Sequence, residues 1–303
     1  MTFGRGARRG GPGDFAGRLT RIGELRSAAS AGGGAAAPLA LLESVLRFQA
    51  SRAGVAAVME AAGAVAAGAE LRMAAGRFPL LDLGAAVGPI AAELPLAVNG
   101  LDAALPEPLV AAGMALTGGS GEERTGLVET WLEDPAAPEP VLGFWVRVAG
   151  APVLEAARAA IATPTREEWT GAACPACGGL AQLSVIAEES GEFMGGSPRS
   201  LVCGRCAGWW TFPRAMCNWC GEGDPRRLPS FVPDERGPHG GINLRGVRID
   251  GCETCGSYVK TFDLREAGGL ALVPLVDDVA TVSLDLWAND QGLSRPVVSF
   301  AGV

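Results

Sequence analysis

Residues 170–180 read TGAACPACGGL, and the Cys-x-x-Cys pattern inside them returns three more times before residue 256. The pairs are Cys174 with Cys177, Cys203 with Cys206, Cys217 with Cys220, and Cys252 with Cys255, and they use every one of the 8 cysteines in the chain. Two thiolates three positions apart on a tight turn can point at one ion, and a second such turn completes a tetrahedral four-sulfur shell. Four pairs therefore make two sites. The intervening stretches hold 25, 10 and 31 residues. The short one reads as a junction, which favours joining the first pair to the second and the third to the fourth. Spacing alone leaves open the interleaved arrangement, first with third and second with fourth.

Other uses of cysteine fit less well. With 303 residues and 48% hydrophobic content the chain can bury a core without disulfide staples. A redox dithiol is usually one Cys-x-x-Cys entering a helix, not four on turns. Gly178, Gly221 and Gly256 directly follow three of the pairs. Glycine there tolerates positive φ and lets backbone N–H groups turn toward the sulfurs. Ala207 stands at the fourth such position. A four-sulfur shell suits zinc and equally a single iron of the rubredoxin kind, with no open position for substrate.

Outward from the cysteines the chain divides. Up to about residue 162 it is rich in Ala and Leu and contains no cysteine. Apolar periodicity predicts helices over 18–30, 122–131 and 141–149, the last apolar nearly all round and so central. Another follows Pro38, with Leu41, Leu42, Val45, Leu46 and Phe48 on one stripe. A boundary falls within 163–171, beyond which short strand-like runs appear: AQLSVIA, RSLVC, VRID and SYVKTFDL. Near the carboxy end PLVDDVATVSLDLWANDQG reads as one helix with Val279, Val282 and Leu286 on a face, opened by Pro274, Asp277 and Asp278. The fold class is therefore α+β: residues 1–165 a mainly helical domain, 172–212 and 213–268 two small metal-binding modules of rubredoxin or zinc-ribbon type, and 272–303 a carboxy-terminal helix and tail.

The formal net charge is -8, and Lys260 is the only lysine. Between Cys174 and Asp263 there are 9 basic and 10 acidic residues. Phosphate-backbone binding, the work of many zinc ribbons, is not expected from that balance. Arg8 and Arg9 near the start are followed by Gly, Pro and Asp rather than the apolar stretch of an export signal. No run of about 20 apolar residues is present, so the expectation is a cytoplasmic protein without membrane insertion. Homo-oligomer formation is compatible with all of this.

The single histidine, His239, lies in a Gly- and Pro-rich loop, and nucleophile-and-base chemistry is not expected from it. The acidic pairs Glu167 with Glu168, Glu188 with Glu189, and Asp277 with Asp278 read as solvated surface or helix starts. No catalytic residue is predicted. The stretch GWWTFPRAMCNWCG gathers Trp209, Trp210, Phe212 and Trp219 between two cysteine pairs. Two or three of these are expected in the core of the metal modules, and any left exposed, with Arg205, Arg214, Arg226 and Arg227 flanking, would be a docking surface. The partner-binding candidates are Trp209, Trp210, Phe212, Arg214 and Trp219.

Taken in order, CPACGG, CGRC, WWTFPRAMCNWCG, GCETCGSYVKTFDL and VDDVATVSLDLWANDQGLSR resemble the formate dehydrogenase accessory protein family, FdhE, over roughly residues 172–295. The resemblance implies a helical first domain followed by two rubredoxin-like modules that bind iron through all eight cysteines. It also implies an accessory, non-enzymatic role in maturing formate dehydrogenase, in association with that enzyme's catalytic subunit. The end of the chain, RPVVSFAGV, and Ala207 depart from the family pattern without touching a ligand. A rubredoxin-like electron-transfer protein is the alternative of a different class.

Overall fold

A computed structural model of the chain describes residues 10–28, 35–134, 136–187, 197–233, 245–266 and 272–302. His239, Glu188 and Glu189 lie outside the described residues.

The first half is helical: α1 (Phe15–Ala28), α2 (Ala36–Ala53), α3 (Ala56–Ala66), α4 (Ala69–Ala74), α5 (Leu83–Gly100), α6 (Glu107–Gly118), α7 (Gly121–Glu133) and α8 (Pro140–Ala159). The apolar stripe of α2 is buried at Leu42, Val45, Leu46 and Phe48, with Leu41 half-buried. Helix α8 is buried on nearly every face from Trp145 to Leu154, because α2, α3, α5, α6 and α7 all pack around it. The Trp145 indole donates to the Leu109 carbonyl at 3.0 Å, so its ring is interior without an orphaned N–H. Helix α5 has the length and composition of a membrane-crossing helix. It lies against α8 and α3 here, and its Glu93 is held by both Nε and Nη2 of Arg52 at 2.8 Å.

Helix α7 starts in a capping box. Ser120 Oγ accepts from the Glu123 N–H at 3.1 Å, while the Glu123 carboxylate accepts from the Ser120 N–H at 2.6 Å. Ser120→Ala is expected to cost about 1 kcal/mol in a denaturant titration, the usual value of such a cap.

The second half is built on one six-stranded sheet with order β3-β2-β1-β6-β5-β4: β1 (Ala181–Ile186), β2 (Arg199–Cys203), β3 (Trp209–Phe212), β4 (Ser230–Phe231), β5 (Val247–Gly251) and β6 (Tyr258–Asp263). Each cysteine module supplies one antiparallel half, and β1 and β6 join the halves in parallel, Leu183 facing Lys260 and Ile186 facing Asp263. The two modules therefore share a continuous sheet. One face is largely apolar, with Leu183, Val185, Val247, Ile249 and Phe262 packed on the carboxy-terminal helix. The middle of the other is polar: Ser184 and Thr261 hydroxyls meet at 2.6 Å, and Thr261 donates to Asp250 at 2.5 Å.

The carboxy-terminal helix corrects the expectation of one continuous element. It breaks at Thr281 into α9 (Pro274–Ala280) and α10 (Val282–Asp290). The break turns Leu286 out to solvent while Val279 and Val282 stay buried. Asp277 and Asp278, read as solvated surface or a helix start, are completely buried at the start of α9, which excludes the first alternative. Asp277 does stand in the first turn of α9, where its carboxylate accepts from the Val273 N–H at 2.7 Å, and it also pairs with Arg21 of α1 at 2.9 Å. The tail then crosses to the helical half, where Phe300 packs edge-on to Phe144 and under the Arg147 guanidinium of α8.

Candidate metal centres

Each of the four cysteine turns has the same hydrogen-bond design. The first cysteine's carbonyl accepts from the N–H four residues on, at Gly178, Ala207, Gly221 and Gly256, over 2.8 to 3.2 Å. Its N–H donates to the carbonyl five residues on, at Gly179, Gly208, Glu222 and Ser257. Closing the turn this way requires positive φ at the residue after the second cysteine: 67° at Gly178, 78° at Gly221, 69° at Gly256, and 53° at Ala207. Alanine there carries a left-handed penalty of roughly 1 kcal/mol, set against the burial of its methyl group.

The turns come together as first with second and third with fourth. Cys174, Cys177, Cys203 and Cys206 form one group of sulfurs and Cys217, Cys220, Cys252 and Cys255 the other, each with all four sulfurs within 4.8 Å of one another. Nearest separations are 3.7 Å for Cys174–Cys206, 3.5 Å for Cys177–Cys203, 3.8 Å for Cys217–Cys255 and 3.6 Å for Cys220–Cys252. Those are far longer than a disulfide bond. A tetrahedral ion with bonds of about 2.3 Å needs its sulfurs about 3.8 Å apart. Both groups have the size of that shell.

The thiols within each group are shifted in opposite directions. In the first group burial raises the Cys203 thiol, but hydrogen bonds from Cys174, Cys177 and Cys206 outweigh it and hold Cys203 well below the ordinary thiol value, whereas burial pushes Cys174 well above it. In the second, burial also raises Cys255, yet hydrogen bonds from Ser257, Cys220 and Cys252 bring it down to about 7. Burial pushes Cys217 the other way, up to about 12.

The surroundings of the first centre fit a negatively charged metal-thiolate shell. Arg205, only 4% exposed, gives its Nη1 to the carbonyls of Cys177 and Leu132 and its Nη2 to that of Trp131, and lies over the Trp131 ring. Its Nε has no hydrogen-bond partner, and it pairs with no carboxylate among the described residues. A buried guanidinium without an anion is costly. The Arg205 backbone N–H donates to Cys203 Sγ at 3.3 Å, so the residue adjoins the first centre, whose thiolates would supply the missing charge once a metal is bound. Glycine is needed beside it, since a Cβ on Gly179 would sit 3.0 Å from Cys203 Sγ and 3.2 Å from Cys177 Sγ.

The two centres differ in setting. All four sulfurs of the first are buried, and its cysteines belong to the same apolar core as α2, α5 and α8. Backbone bonds weld it to the helical half, Leu80 N–H to the Pro175 carbonyl and Leu81 N–H to the Ala176 carbonyl, both 2.9 Å. In the second, Cys217 and Cys252 are buried, Cys255 is half-buried and Cys220 is exposed. Nothing in the cysteine spacing distinguishes them.

The aromatic and arginine candidates divide likewise. Trp210 and Phe212 point into the core at 3% and 4% exposure, so neither is available to a partner, and Arg205 is committed beneath the first centre. Trp209 is half-buried, whereas Arg214 is exposed and Trp219 is 47% exposed beside the second centre.

Residues 234–300, which carry the fourth cysteine pair, β5, β6, α9 and α10, match the family profile described as FdhE, C-terminal domain. This carboxy-terminal stretch resembles the FdhE family. A protein FdhE homolog from Aquifex aeolicus is 36% identical over 136 residues, covering 45% of this chain and 44% of the relative. One from Pseudomonas putida is 32% identical over 161 residues, covering 53% and 47%. The matched stretch thus spans about half the length of these FdhE relatives. In fold the likeness extends further: the crystal structure of the FdhE protein from Pseudomonas aeruginosa superposes with a TM-score of 0.69 over 98% of both chains, at 18% identity.

Proposed function

We propose that the protein is an accessory factor in the maturation of formate dehydrogenase, acting by binding that enzyme's catalytic subunit in the cytoplasm and performing no catalysis of its own. The observation that carries this reading is the pair of four-sulfur groups of metal-shell size, set in a chain whose carboxy-terminal stretch matches the FdhE C-terminal domain. All eight cysteines are assigned as ligands, with one iron in each centre and zinc as the alternative. When bound, the ion supplies a rigid tetrahedral node and, if it is iron, one exchangeable electron. The chain's own residues do the rest. The first centre locks the sheet to the helices, and the second holds Arg214 and Trp219 on a fixed turn at the surface.

Metal analysis with a visible spectrum, on protein purified without added metal, tests the assignment. About two irons per chain and a ferric-thiolate colour that bleaches on reduction are expected, from the two shells. A protein that binds no metal would overturn the ligand assignment. Co-purification with the formate dehydrogenase catalytic subunit tests the partner, and failure of metal-loaded protein to retain that subunit would overturn the accessory reading.

A further inference from the structure

Beside the second centre, between the polar face of the sheet and the loop that carries Cys217, lies a cleft of about 200 Å³. Arg199 of β2 and Arg248 and Asp250 of β5 form part of its floor, and Arg214 and Trp219 stand on the loop. Its charges are unevenly matched. Arg248 is committed to Asp250 at 2.9 Å and to Asp263 at 3.1 Å. Asp250 is saturated, accepting from Arg248, Ser230 and Thr261.

Arg199 and Arg214 pair with no carboxylate among the described residues. Arg199 is 5% exposed, gives only Nη1 to the carbonyls of Pro213 and Met216, and leaves Nε with no acceptor. A loaded second centre offsets part of that buried charge, since Cys217 lines the same cleft. Arg214, exposed on the loop, keeps its own.

We propose that this cleft receives an aspartate or glutamate side chain presented by a segment of the partner protein, with Arg214 meeting the carboxylate, Arg199 donating from the floor, and Trp219 packing on the segment's backbone. The inference rests on the accessory reading for the identity of the partner. Size favours an inserted side chain over a free cofactor, because pockets for small molecules are usually 300 Å³ or more. Composition agrees, since exposed tryptophan beside arginine is the mix that anchors protein interfaces.

The test uses the metal-loaded full chain and a fluorescein-labelled hexaglutamate peptide, with hexaglutamine as control, followed by anisotropy. Hexaglutamate is expected to bind and to weaken as salt rises. Arg214→Glu should weaken it at least tenfold and Trp219→Ala several-fold, with metal content unchanged in both. Both side chains are exposed enough that neither replacement should cost the fold. Equal binding of the two peptides, unchanged binding by Arg214→Glu, or retention of a single-stranded oligonucleotide in place of the peptide would overturn the proposal. Capture of the formate dehydrogenase catalytic subunit, run in parallel, separates the two readings. If the wild type captures it and Arg214→Glu captures it equally, the cleft is not the docking site. If the wild type captures nothing, the accessory reading falls while the peptide still decides the cleft.

Discussion

Cys177→Ser is expected to unfold far more of the protein than Cys220→Ser, although the two positions are equivalent in the sequence pattern. The first centre lies wholly inside the core shared with α2, α5 and α8, and the buried Arg205 guanidinium is held to it through the Cys177 carbonyl with no carboxylate partner among the described residues. A structural four-sulfur site contributes on the order of 10 kcal/mol to folding, comparable to the whole net stability of a typical domain. Losing a ligand of the first centre should therefore leave a protein with little bound metal and an early, broad loss of helical circular dichroism. Cys220 is exposed and its centre lies at the surface. The Cys220→Ser protein should lose about one metal ion per chain while the helical transition stays close to that of the wild type. Identical melting of the two variants would show that the centres do not differ in this way.

The sequence made the local elements and the cysteine grouping readable because both depend on near neighbours. The stripe from Leu42 to Phe48 has helical spacing, and the strand runs are rich in β-branched residues. The four turns share one local geometry, to the point that Ala207 takes the positive φ of its glycine counterparts. What long-range packing decides was not readable. The parallel pairing of β1 with β6 joins residues nearly 80 positions apart and turns two modules into one sheet. Asp277 and Asp278 carry the sequence character of a solvated helix start, and only their distant partners, Arg21, Lys260 and Arg295, make them interior. Burial of Trp210 and Phe212, against exposure of Trp219, likewise depends on where the β3 edge meets the helical half. One signal was there to be followed: a chain that otherwise uses arginine for its basic side chains has a single lysine, Lys260, in the middle of an apolar strand.

That lysine sets the second large expected effect: Lys260→Met should destabilise the protein by about 3 to 5 kcal/mol, the cost of leaving a buried ion network short of one partner. Lys260 Nζ lies 3.0 Å from Asp278 and 2.6 Å from Asp285, all three fully buried. Arg295 closes the other side, 2.8 Å from Asp278 and 3.1 Å from Asp285, and Tyr258 donates its hydroxyl to Asp285 at 2.8 Å. Two cations meet two carboxylates, so the network is neutral as built. Lys260 also donates to the carbonyls of Asp278 and Thr281, at 2.6 and 3.3 Å, which holds the break between α9 and α10. Methionine would preserve much of the volume while leaving one negative charge unmatched and those carbonyls without their donor. The pH dependence identifies the cause. Burial raises Asp278, but Arg295 and Lys260 outweigh it and hold the carboxyl well below the usual carboxylate range. The stability this supplies is present above the unfolded-state pKa of about 4 and is lost as pH falls toward the lower folded value. Without Lys260 the folded value rises, so the deficit of the variant should be full at neutral pH and narrow below about pH 4. Adding Asp285→Asn to Lys260→Met restores neutrality and should recover part of the loss. Urea titrations of the three proteins at two pH values decide the matter, and a deficit that stays constant with pH would mean lost packing rather than an unpaired buried charge.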